Sequence, residues 1–161
     1  MKDSSPQAPP SFAELMACDW PAASKAAELL RDREPGALLH GLPGSAGAFF
    51  LAWAYRRLDE KFPWVVVTPT REEALAVQGD LATWLPGVSV RFCPSWEVLP
   101  LDVEAPDPEL VGERLRAFYQ LQQQERGLIV APLMGALQGT LSPEAWLDRL
   151  LVIRQGAELP S

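Results

Sequence analysis

The sequence predicts an α/β domain in three layers, with a parallel sheet between helices, and three observations carry that expectation. Short apolar runs recur at residues 37–40, 64–68, 88–92 and 128–131. Stretches with apolar residues at helical spacing separate them, and a glycine-rich turn follows the first run. Apolar runs without polar alternation suit strands buried on both faces. Strands alternating with helices imply right-handed crossovers and helices on both sides of the sheet. On this reading the sheet runs through Leu38, Val66, Val90 and Ile129.

The elements follow in order. Residues 1–10 are polar and proline-rich and predict a disordered leader, because proline denies backbone donors to helix and ladder alike. Ser11 caps a short helix through Met16, and Pro21 suits the first position of a second helix to about Arg33, with Ala26, Leu29 and Leu30 on one side. Pro35 and Gly36 end it. After the run at 37–40, residues 45–58 place Phe49, Phe50, Trp53, Ala54 and Leu58 at helical spacing. Thr70 is an N-cap ahead of Glu72 and Glu73, acids that suit the positive end of a helix dipole. Leu75, Val77, Leu81 and Leu85 follow, and Pro86 and Gly87 terminate that helix.

Residues 93–108 form a proline-rich crossover with no regular structure. Residues 109–124 read as a helix through Leu110, Leu115, Phe118, Tyr119 and Leu121. The run at 128–131 leads to a short helix at 132–137, and Ser142-Pro143-Glu144 starts another. Residues 150–154 look like the first strand of something new. The organisation expected is a leader at 1–10, a domain at 11–139 and the beginning of a second module at 140–161.

The turn after the first run is Gly41-Leu42-Pro43-Gly44-Ser45-Ala46-Gly47-Ala48. It has the outline of a phosphate-binding loop without its chemistry. In a working loop the backbone amides wrap phosphates, a lysine reaches the outer phosphates and a hydroxyl holds magnesium. Here Gly41 and Gly44 keep the backbone shape, while Ala46, Gly47 and Ala48 supply neither ammonium nor hydroxyl. The simplest role for such glycines is a tight turn into a helix, whether or not anything binds.

Composition narrows the function classes. The chain has 161 residues, 48% hydrophobic and 22% charged, enough to bury a core. A formal net charge of −7 argues against a surface built for nucleic-acid phosphates. Cys18 and Cys93 stand far apart, without zinc or disulfide-framework spacing, and read as free thiols in a reducing cytoplasm. No apolar run approaches a membrane span and no signal-peptide core is present. His40, the single histidine, has no nucleophile or ligand pattern beside it. Glu104, Asp107 and Glu109 read as an acidic loop and helix start rather than paired catalytic carboxylates. Tyr119 reads as core. Trp96 and Glu97 lie in the crossover, where an aromatic either plugs the sheet or presents a recognition surface.

Several motifs then agree at once: Gly41-Leu-Pro-Gly-Ser45, Val67-Thr-Pro-Thr70, Trp96-Glu-Val-Leu-Pro100, and Glu113-Arg114 through Leu121. Arg126-Gly-Leu-Ile-Val-Ala-Pro132 and Leu141-Ser-Pro-Glu-Ala-Trp146 continue in the same order. Together they resemble the N-terminal region of the bacterial transcription-repair coupling factors, the Mfd family, which is itself similar to the damage-recognition protein UvrB. The resemblance implies a degenerate P-loop fold of the UvrB and helicase-like kind, with residues 11–139 as the first UvrB-like subdomain and 140–161 opening the second. The loop departs from UvrB, whose ATP site keeps lysine and threonine, and the crossover is too short for UvrB's DNA-wedging hairpin.

By the same resemblance, the parent protein is a DNA translocase that displaces stalled RNA polymerase and recruits UvrA, with UvrA gripped mainly beyond Ser161. Trp96, Glu97, Pro100 and Arg114 are family-motif residues without an assigned role. No catalytic residue, metal ligand or cofactor is expected in this chain. The competing class is a small P-loop nucleotide hydrolase with an atypical loop. The missing lysine and hydroxyl, and the lack of a downstream acidic metal-binding motif, favour the non-catalytic module.

Overall fold

A computed structural model describes residues 12–31, 38–58, 62–96 and 107–140, together with 142, 144, 145 and 156. The expected leader, the crossover from Glu97 to Pro106 and the run at 150–154 lie outside the described residues. Three strands make the sheet: β1 (Trp64–Thr68), β2 (Val90–Phe92) and β3 (Leu128–Pro132), all parallel, in the order β1-β3-β2. The register sets Trp64 and Val90 opposite Leu128, and Val66 and Phe92 opposite Val130. β3 is central and buried along its whole length, as its non-alternating sequence requires.

Helices cover the sheet on both sides. On one face Leu128, Val130 and Phe92 pack with Ala48, Ala52 and Tyr55 of α3 (Ala46–Leu58) and with Ala74, Leu81 and Leu85 in and after α4 (Arg71–Trp84). On the other, Ile129 and Ala131 pack with Cys93 and with Ala117 of α5 (Pro108–Gln122), flanked by Phe118 and Leu121. Outside this three-layer core, α2 (Pro21–Arg31) lays Ala23, Ala26 and Ala27 against Phe50, Trp53 and Ala54 of α3. α1 (Phe12–Ala17) precedes it, and the Trp53 indole donates to the Cys18 carbonyl at 3.1 Å. α6 (Leu133–Leu137) leaves the end of β3. Among the described residues no helix is long and apolar enough to cross a membrane.

The caps follow local chemistry. Thr70 Oγ1 accepts from the Glu73 amide at 3.2 Å, and Asp107 Oδ1 accepts from the Glu109 amide at 2.8 Å with Pro108 in the first turn.

Four expectations are corrected. The strand expected at 37–40 does not form over its described residues: 38–40 pair with no strand, and Leu38 is 89% exposed. A strand exists only where a neighbour completes its ladder, and β1, the available edge, pairs with β3 alone. β1 itself is not buried on both faces, since Val65 and Val67 are exposed at 52% and 49%. On α2 the alanines, not Leu29 and Leu30, meet α3, because small residues let the two helices approach closely. On α5, Leu115 is exposed and Tyr119 only partly buried, while Leu110, Arg114, Ala117 and Gln120 turn inward.

Candidate functional site

In an open parallel sheet the loops beyond the carboxyl ends of the strands are where chemistry concentrates. Beyond β1, Thr68 is buried and its hydroxyl donates to the Thr70 carbonyl at 2.9 Å, holding the turn into α4. Beyond β2 the chain runs through Cys93, Pro94, Ser95 and Trp96, and beyond β3 it turns into α6. Arg114, from the inward face of α5, joins these last two. The residue is 1% exposed, and its Nη1 donates to the Pro94 carbonyl and, at 3.1 Å, to the Gly135 carbonyl. The rings of Trp96 and Phe118 lie 4.8 and 5.2 Å from its central carbon. Burial pulls its pKa down, and the nearby Cys93 opposes that pull.

Gln138 closes the same cluster by accepting from the Trp96 amide at 2.6 Å and donating to the Trp96 carbonyl at 3.4 Å. Gly135 is required here: a Cβ would come within 3.0 Å of the Cys93 carbonyl oxygen and 3.1 Å of Pro94 and Ser95 backbone atoms. Trp96 therefore anchors the crossover to α5 and α6, although the residue is only partly buried. The arrangement fixes three chain segments around one cation. It presents no nucleophile with a paired base.

The structure thus brings Trp96 and Arg114 together, whereas Glu97 and Pro100 lie outside the described residues. Asp107 is a helix cap and Glu109 is exposed in the first turn of α5. Among the described residues no group of three or more His, Cys, Asp or Glu is placed to hold a metal ion.

The glycine-rich turn lies between residues 38–40, which form no strand, and the start of α3. Gly41 and Gly44 have φ of 78° and 53°, the left-handed region open to glycine. The Ala46 amide donates to the Pro43 carbonyl at 3.1 Å and the Phe49 amide to the Ser45 carbonyl at 2.9 Å, so the turn runs directly into α3. Residues 38–45 are exposed. Ala48, where a working loop carries its metal-binding hydroxyl, is a buried packing residue beside Ala52 and Tyr55. The side chains at 46–48 carry neither an ammonium nor a hydroxyl.

Residues that composition and spacing passed over include Gln120, buried on α5, whose Oε1 accepts from Arg91 Nε at 2.8 Å and from Ser89 Oγ at 3.2 Å. Arg114, Ala117 and Gln120 recur every three residues, so all three lie on the face that meets the sheet. Two polar residues at core spacing were the available signal.

No protein-family model matches the chain. It is 32% identical over 95 residues to the transcription-repair-coupling factor of Haemophilus influenzae, a stretch covering 59% of this chain and 8% of that protein. It is 28% identical over 123 residues to the transcription-repair-coupling factor of Escherichia coli, covering 76% and 10%. For that of Staphylococcus aureus the figures are 24% over 122 residues, covering 76% and 10%. The chain spans about a tenth of the length of the curated relatives it matches. It is by sequence a relative of the transcription-repair-coupling factors, matching a short part of their length.

Proposed function

We propose that this chain is a non-catalytic, N-terminal module of a transcription-repair coupling factor, serving as an interaction and regulatory scaffold. The supporting observation is the turn at 41–48, which has the outline of a phosphate loop in sequence but carries Gly47 in place of the lysine and the buried Ala48 in place of the hydroxyl. Without an ammonium, the outer phosphates of a nucleotide would lose water with no compensating charge. Ala48 offers nothing to magnesium. In this reading residues 11–139 are the UvrB-like first subdomain, with a leader at 1–10 and the start of a second subdomain at 140–161. The parent protein is a cytoplasmic DNA translocase that displaces stalled RNA polymerase and recruits UvrA. The module meets the parent's other domains, and UvrA is engaged mostly through sequence beyond Ser161.

The test is calorimetry with Mg-ATP beside a UvrA pull-down using this chain and the full-length polypeptide. The expected result is no measurable ATP binding and UvrA capture by the full-length polypeptide. Gly47→Lys is the appropriate gain-of-function control, since a Cβ at Gly47 meets no atom within 4 Å. Ala48→Thr, in contrast, would push a hydroxyl into the core. Micromolar ATP affinity or turnover in the unmodified chain would instead establish a small nucleotide hydrolase with an atypical loop.

A further inference from the structure

Arg114 uses only part of its hydrogen-bonding capacity. Both carbonyls it meets, those of Pro94 and Gly135, are taken by Nη1. Its Nε and Nη2 are buried and meet no acceptor. These two nitrogens share one edge of the planar guanidinium, and their parallel N–H bonds are spaced to meet the two oxygens of a carboxylate. A buried donor without an acceptor costs free energy, and on a charged group the cost is larger. Two such donors side by side call for an occupant. Among the described residues no Asp or Glu forms an ion pair with this cation, and the charge that bears on it is that of the Cys93 thiol.

The position suits a ligand. The guanidinium lies beyond the carboxyl ends of β2 and β3, where open parallel sheets take theirs. Trp96 and Phe118, whose rings border it, are only partly buried, so a change of rotamer at either opens the edge to a small solute. Trp96 can turn its indole while its backbone stays in place, because Gln138 holds both its amide and its carbonyl. Among the described residues no Asp or Glu is buried, so salt screens the acids of this chain far more than it screens Arg114.

We propose that the Nε–Nη2 edge of Arg114 is a binding site for a carboxylate, held by two parallel hydrogen bonds between the side chains of Trp96 and Phe118. One guanidinium balances one negative charge, so a monoanion fits, whereas a dianion would leave a second charge buried without a partner. The inference rests on Arg114 and its neighbours, independently of the reading of the phosphate loop.

Arginine side-chain NMR on the 161-residue chain tests it, with sodium acetate as the probe, acetamide as its uncharged isostere, and sodium chloride at matched ionic strength. Acetate should shift the Arg114 Nε–H signal saturably, with a midpoint at least about tenfold below that for the exposed Arg116. Acetamide and chloride should leave the signal in place, and sulfate should shift it less than acetate does. The Trp96 indole N–H should follow the acetate titration in the wild type and stop following it in Arg114→Lys, which keeps the charge without the two-donor edge. The comparison of acetate with acetamide needs no variant and stands even where Arg114→Lys fails to fold. Equal responses to acetate and acetamide, or a midpoint no lower than that of Arg116, would overturn the proposal and leave the edge to water. A signal that ignores acetate in the wild type and responds in Glu97→Gln would show that a carboxylate of the chain already holds the edge, and would overturn it too. None of these outcomes bears on ATP or UvrA binding, so the two readings fail separately.

Discussion

Arg114 and Cys93 show how much of this domain depends on single side chains. The guanidinium gives up water and recovers two carbonyl acceptors and two aromatic faces, contacts that a planar, weakly hydrated cation uses better than an ammonium does. Arg114→Lys keeps the charge but loses the planar guanidinium that lies against Trp96 and Phe118 while its Nη1 holds the Pro94 and Gly135 carbonyls. It should cost about 1–3 kcal/mol, read from urea unfolding, the range expected when hydrogen bonds to a buried charged group are lost. The Cys93 thiol, beside this group, has its pKa raised from the ordinary 9.0, chiefly by burial and in spite of the arginine. The folded chain therefore holds that proton longer than the unfolded chain does. Stability is full below pH 9 and falls as pH rises from there towards the folded value, by at most about 1.4 kcal/mol per unit. Urea midpoints measured on either side of pH 9 should fall towards alkali, and the fall should flatten in Cys93→Ala. An unaltered slope in that variant would show that another group carries it. Alkylation gives a parallel readout, with the exposed Cys18 reacting in the native state and Cys93 only after unfolding.

At the scale of elements, what was legible in the sequence is what local chemistry decides. Thr70 and Asp107 carry their own caps, Trp64 to Thr68 and Leu128 to Ala131 carry β-branched residues in dense runs, and α3 carries its aromatics at helical spacing. What was not legible depended on partners remote in sequence. Leu38 has strand character but no neighbour to pair with, and the facing choice of α2 was decided by how closely Ala23 and Ala27 let α3 approach. In the candidate site, the missing ammonium and hydroxyl were readable from Ala46 to Ala48. The convergence of Arg114, Trp96 and Gln138 was not, because it joins segments 20 to 42 residues apart. Two glycines on different helices test that contrast. Gly135→Ala drives a Cβ into the backbone of residues 93–95 and should cost about 1–3 kcal/mol as α6 shifts. Gly112→Ala on α5 meets only the flexible Arg116 side chain at 3.6 Å and should gain about 0.5–1 kcal/mol from helix propensity. Thermal melts of the two variants should move in opposite directions. Shifts of the same sign would show that α6 is not held against the crossover.

For the whole molecule, charge sets what the chain can touch. Fourteen Lys and Arg face twenty-one Asp and Glu, and several of the cations are committed within the fold. Arg114 is buried, Arg91 is bonded to Gln120, Arg56 donates to the Trp84 carbonyl, and Arg57 stacks on Trp53 while bonding the Cys18 carbonyl. Arg71 and Arg126 sit over Phe92 and Tyr55. Binding to a duplex draws on cations that can neutralise phosphates and release counterions, and each such contact steepens the fall of log K with log salt by about 0.9. With a net charge of −7, the field of the chain opposes approach to DNA before any contact forms. The isolated chain should therefore show no appreciable affinity for duplex DNA at physiological salt, and any weak association at low salt should not depend on sequence. Fluorescence anisotropy across a salt series measures both quantities. Submicromolar binding with a slope corresponding to several phosphates would mean that a cationic face survives the overall charge and overturn this expectation.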